Sequence, residues 1–150
     1  MSRANTDRAW VSGQLLLIAL VVVAAVLGPH WPARPILFIV GVIVAVAGGL
    51  VMLWGGRTLG RSLTPFPSPR GDHLERGPYR FIRHPMYGGG IMLALGISLA
   101  SSSWALVPTA ALIPFFLVKS RYEERLLARA DPSYGEYLTR VRKRFFPGLL

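Results

Sequence analysis

The sequence contains no cysteine, which excludes disulfide staples, thiolate metal centres and cysteine nucleophiles. It is also poor in charge: Asp, Glu, Lys and Arg make up 16% of its residues, where soluble domains carry about 25%. Acids are the scarcest group, seven against seventeen Lys and Arg, for a formal net charge of +10. Histidine occurs at positions 30, 73 and 84 alone, too widely spaced for a metal-ligand motif, and no metal is expected. No charged side chain lies between Arg8 and Arg34, between Arg34 and Arg57, or between Arg83 and Lys119. Apolar residues, 52% of the total, fill these intervals as runs. The pattern is that of one all-α integral membrane domain covering residues 1–150. Basic charge confined to the connections fits anionic headgroups and membrane topology, so the bilayer is the expected partner and nucleic acid is not.

Four transmembrane helices are expected, at about 10–28, 35–54, 86–101 and 103–119. The first follows Arg3 and Arg8 as a signal peptide would, but its run is long and no small-x-small cleavage site ends it, so a retained helix is expected. In the second, Gly41, Gly48 and Gly49 fall on one face and permit close helix packing, within the chain or with a second copy in a homo-oligomer. Pro85 to Val118 is free of Asp, Glu, Lys and Arg, too long a stretch for one span and short for two. Ser101-Ser102-Ser103 divides it into arms of about fifteen residues, each near 22 Å at 1.5 Å per residue. A short helical hairpin follows, with Pro108 near a helix start, Pro114 bending the second arm, and that arm continuing to Ala130. In the tail, 119–150, Ser133 and Glu136 have capping-box spacing before a helix that places Tyr134, Tyr137, Leu138 and Val141 on one side. The N-terminus holds two cations, the 55–84 loop six and the tail eight, leaving Arg34 alone on the far side. The positive-inside rule then puts both termini and the loop in the cytoplasm, with the chain in the cytoplasmic (inner) membrane.

Between the apolar regions stands Gly77-Pro78-Tyr79-Arg80-Phe81-Ile82-Arg83-His84-Pro85-Met86-Tyr87-Gly88. A connector needs only solubility; this one is made of rings, guanidinium groups and fixed backbone. The hairpin brings Arg83-His84 close to Glu123-Glu124, and ionisable groups at that depth are paired or functional. A purely structural Arg–Glu clasp would satisfy them. Pro85 suits a first helical turn whose free N–H groups favour an anion. Tyr79, Tyr87, Tyr122, Tyr134 and Tyr137 offer aromatic faces for an adenine or a sulfonium, and Glu123 or Glu124 can meet an ammonium or ribose hydroxyls. Together these partners suit an amino-acid-bearing nucleoside.

Gly77-Pro78-Tyr79, Arg83-His84-Pro85-Met86-Tyr87-Gly88, Glu123-Glu124, Tyr134-Gly135-x-Tyr137 and Phe146-Pro147 occur in that order. The set resembles the isoprenylcysteine carboxyl methyltransferase and phospholipid methyltransferase superfamily over roughly residues 60–148. The resemblance implies S-adenosylmethionine-dependent methyl transfer, with S-adenosylhomocysteine as product, to a lipidic or membrane-embedded carboxylate or amine at the cytoplasmic face. It implies cofactor contacts at His73, Leu74, Tyr79, His84, Pro85, Met86, Tyr87 and Glu123 or Glu124, with His84, Tyr87 and Glu123 nearest the chemistry. Lys119 or Arg121 would hold the substrate. Ala130-Asp131-Pro132-Ser133 departs from the Phe-Gly usual before the paired tyrosines. A second resemblance, to steroid 5α-reductase-like NADPH enzymes, rests on His84-Pro85-x-Tyr87 alone and lacks their Asn before the tyrosine. A non-enzymatic membrane scaffold is the remaining alternative.

Overall fold

The computed structural model describes residues 3–32, 34–67 and 75–146, with Arg34 by its backbone only. His73, Leu74 and Pro147 lie outside the described residues. The regular elements among them are helices, with α1 at Arg3–Leu27, α2 at Arg34–Leu59, α3 at Pro85–Ala100, α4 at Leu106–Ala130 and α5 at Tyr134–Arg140. Short 3-10 turns stand at Gly60–Ser62, Gly77–Arg80 and Ser103–Ala105. Three helices (α1, α2 extended to Ser62, and α4 with its preceding turn) are long and apolar enough to cross a membrane; α3 is apolar but shorter. α1 and α2 bury little and turn Leu15, Val26, Leu27, Ile36 and Ile43 outward. Such a belt is stable only against an apolar medium.

Connections gather at the two ends of the bundle. At one end the α1–α2 turn meets the α3–α4 turn: Trp31 donates Nε1–H to the Ser98 carbonyl at 3.0 Å, and His30 and Ser102 form an isolated bridge. Ser102 Oγ accepts from Trp104 N–H, which closes the turn. The expected split at Ser101–Ser103 is therefore observed, and Pro108 lies in the first turn of α4, which runs on through Pro114 to Ala130.

α2 and α3 are antiparallel and meet at backbone distance. A Cβ on Gly48 would stand 2.6 Å from Gly89 O, and one on Gly41 2.6 Å from Gly96 O. The spacing of seven in Gly41–Gly48 is repeated in Gly89–Gly96, so two residue pairs register at once. Gly49 faces open space instead and takes no part. The face expected to receive either another helix or a second copy is thus occupied by α3.

Two local expectations are corrected. α2 continues past residue 54, because Thr58 Oγ1 donates back to Trp54 O and the chain turns only at Gly60, whose φ of +53° suits glycine. Ser133 does not form the capping box: its side chain makes no cap hydrogen bond to α5. Asp131 outcompetes it, accepting from both Ser133 N–H and Ser133 Oγ–H. The apolar side of α5 forms as expected, with Tyr134, Tyr137 and Val141 buried together and Leu138 against them.

Candidate functional site

The end of the bundle opposite those turns holds the start of α3, the second half of α4, the start of α1 and the segment after α5. That last segment runs beside residues 83–84, with Arg83 N–H bonded to Lys143 O at 2.9 Å and His84 N–H to Arg144 O at 2.8 Å. Phe145 is buried beneath Gly88, where any Cβ would strike the Phe145 carbonyl. A glycine at that position is a condition for the tail to close.

His84 lies between two carboxylates supplied by consecutive positions of α4. Its Nε2 is 3.1 Å from Glu124 Oε1 and its Nδ1 is 3.7 Å from Glu123 Oε2. The two glutamates are differently committed. Glu124 also meets Arg83 Nη1 at 3.0 Å and Arg144 at 2.8 Å (Nη2) and 3.3 Å (Nε), so both oxygens are held by cations. Glu123 accepts a short hydrogen bond from Tyr87 O–H and has Lys119 Nζ no nearer than 4.0 Å. One acid closes a clasp; the other is held by the Tyr87 hydroxyl and by longer contacts to His84 and Lys119.

Lys119 is fully buried. It donates to Gln14 Oε1 at 2.6 Å and to the Pro65 carbonyl at 3.0 Å, and lies 5.2 Å from the centre of the Tyr87 ring. Arg121, the other substrate candidate, points outward as an exposed side chain. Tyr87 is stacked on Phe116 at 4.4 Å and lies parallel to His84 at 5.5 Å, so its ring surface is committed to neighbours and its hydroxyl is the group it presents.

Pro85 and Met86 approach Gly55 of α2, and the Tyr79 hydroxyl lies on the same side. Tyr134 and Tyr137 do not offer open faces. They pack against each other in the interior, and Tyr137 O–H is spent on the Tyr79 carbonyl at 2.8 Å. Burial pushes the Tyr134 and Tyr137 phenols above the ordinary tyrosine value, keeping both neutral. Burial likewise raises Tyr79, helped by Tyr137 and Glu123. Tyr122 stands outside the cluster against Trp10. The α3 N-terminus is a poor anion site: Pro85 has no N–H, and those of Tyr87 and Gly88 bond to His84 O.

An apolar cavity of about 150 Å³ starts at Gln14, Met86 and Tyr87 and runs between α1, α3 and α4, with Met52 of α2 at its side, toward Val21 and Leu112. Gln14 and Arg144 are the cluster residues that sequence reasoning missed. Gln14 carried a signal, being the one polar side chain between Ser12 and His30. Arg144 carried none, since it stands within a basic run.

A model of the family described as phospholipid methyltransferase matches residues 36–135. Those residues include Tyr79, His84–Tyr87, Lys119, Glu123 and Glu124; α1 precedes them and Arg144 follows. Over 78 residues the chain is 36% identical to the cobalt-zinc-cadmium resistance protein CzcN of Cupriavidus metallidurans, a stretch that covers 51% of this chain and 36% of that relative.

Proposed function

The chain belongs to the phospholipid methyltransferase family, and on that premise we propose an integral membrane enzyme that transfers a methyl group from S-adenosylmethionine to a lipidic or membrane-embedded carboxylate or amine. In this reading α1, α2 and α4 cross the inner membrane and the shorter α3 does so with the help of its connections, and the cluster faces the cytoplasm. The observation that carries the proposal is the unequal commitment of the two glutamates. A buried carboxylate left with capacity for a donor, beside an equivalent one that is saturated, is a binding group rather than a structural one.

The residues present fit the cofactor. It carries an ammonium and ribose hydroxyls, which an under-committed acid accepts, and a sulfonium, which a site holding two carboxylates tolerates. When bound, it supplies a methyl group on positively charged sulfur. Glu123 is assigned the ammonium or ribose contact, with Tyr79, Pro85 and Met86 lining the place, and His73 and Leu74 joining them by family resemblance. Glu124 fixes His84 and ties α4 to the tail. Tyr87 orients Glu123 through its hydroxyl, and His84 positions both acids. A carboxylate or a neutral amine is already a competent nucleophile, so the protein's work is alignment and exclusion of water. Lys119 is bonded to Gln14, which with Tyr87 lines the head of the apolar cavity, and in this reading it meets the polar end of an acceptor whose apolar part lies among Val21, Leu112 and Phe116.

Isothermal titration of detergent-solubilised protein with S-adenosylhomocysteine tests the reading. Saturable binding is expected, lost in Glu123→Gln. A well-folded wild type that does not bind would overturn it. The NADPH reading gains nothing beyond its His84-Pro85-x-Tyr87 resemblance, and a thermal shift with NADPH in place of the methyl donor would reinstate it.

A further inference from the structure

A second and larger hollow lies on a different face of α3. It has a volume of about 650 Å³ and is bordered by Val51 and Trp54 of α2, Gly88, Gly89 and Met92 of α3, Phe81, and the tail from Arg140 to Phe146. None of its lining residues borders the cavity that starts at Tyr87. Phe145, buried beneath Gly88, helps wall it from the His84 cluster. Its size is that of a ligand site rather than a packing defect, which holds a few waters at most.

The groove is chemically two-ended. Its deep end is apolar: Met92 stands seven positions into α3, about 10 Å along the axis. Its outer end carries Arg140, Arg142 and Lys143, with the exposed rings of Trp54 and Phe81 beside them. Arg140 is neutralised by Glu75. Among the described residues, neither Arg142 nor Lys143 meets a carboxylate. An apolar slot beneath two uncompensated cations and two exposed aromatics is complementary to one kind of molecule, an amphiphile with an anionic head.

We propose that this groove binds a phospholipid of net negative charge, acyl chain along Met92 and Val51 and phosphate at Arg142 and Lys143, as a second site separate from the methyl-transfer cluster. The lipid would also brace the tail. The Lys143 and Arg144 carbonyls hold the Arg83 and His84 backbone N–H groups, so an occupant that fixes residues 140–146 fixes the start of α3.

Native mass spectrometry of the full chain, with phosphatidylglycerol and phosphatidylcholine in competition, tests this without reference to methyl transfer. Wild type is expected to retain one phosphatidylglycerol, preferred about tenfold or more. Arg142→Glu/Lys143→Glu should lose the preference, and Met92→Trp should retain neither lipid. Thermal unfolding in vesicles gives an independent readout: replacing a third of the phosphatidylcholine by phosphatidylglycerol should raise the wild-type Tm by several degrees and leave the charge-reversed protein unmoved. Equal retention of both lipids by wild type would overturn the proposal, as would an unchanged preference in the charge-reversed variant. Should the variants fail to fold, the wild-type competition alone decides. Failure of S-adenosylhomocysteine to bind would leave this result standing, so the two readings fail separately.

Discussion

The two faces of α3 are built on opposite principles. Toward α2 it has Gly89 and Gly96, and the partner backbone comes so near that no side chain fits between. Toward α1 and α4 it presents Tyr87, Ala94 and Ile97, whose packing leaves a cavity of about 150 Å³ with Gln14 and Tyr87 at one end. Backbone-to-backbone contact gives a seam with one geometry, because in an apolar medium close van der Waals packing is what holds helices together. Side-chain packing around a void tolerates entry and exit. The glycine seam is scaffold, and the face toward α1 and α4 keeps a void beside the His84 cluster.

The harshest test of that contrast is a large side chain in the seam. Gly48→Leu should prevent recovery of monodisperse protein, whereas Gly49→Leu, one position on and facing open space, should leave thermal unfolding within a degree or two; equal effects would dissolve the distinction. Next in size is Glu124→Gln, which strands Arg83 and Arg144 beside a neutral partner and should cost about 3 kcal/mol of stability, read from thermal unfolding. Glu123→Gln should move stability by less than about 1 kcal/mol yet weaken S-adenosylhomocysteine binding at least tenfold in calorimetry. Interchanged results for the two glutamates would reverse the assignment of clasp and binding group. The mildest expected change is Leu112→Trp, which fills the cavity. It should lower turnover of an apolar acceptor by about tenfold while calorimetry finds the cofactor product bound as in wild type.

Much of this was legible in the residues. Long charge-free runs define helices because an uncompensated charge in hydrocarbon is costly whatever the fold. Ser101–Ser103 marks the hairpin, and the hairpin alone brings His84 to Glu123-Glu124. The Gly89–Gly96 half of the seam was also readable, as a spacing of seven matching that of Gly41–Gly48, but it becomes informative only when the two helices are known to pair. The capping box failed because Asp131, two residues upstream, takes both the Ser133 N–H and its hydroxyl proton. The tyrosines were overcounted: Tyr134 and Tyr137 were expected to offer aromatic faces, yet they bury against each other and Tyr137 holds the Tyr79 carbonyl.

Composition and charge placement determined by themselves that this is a helical membrane protein with its polar groups collected at one end, since those follow from solvation free energies that each residue carries anywhere in a chain. Tertiary structure alone decided which glutamate is spent, that Lys119 and not Arg121 turns inward, and that Arg144 and Gln14 join the cluster. Adjacent residues on one helix are chemically alike in sequence. They differ only in what stands opposite, and what stands opposite Glu124 is brought there by a tail that folds back twenty residues later.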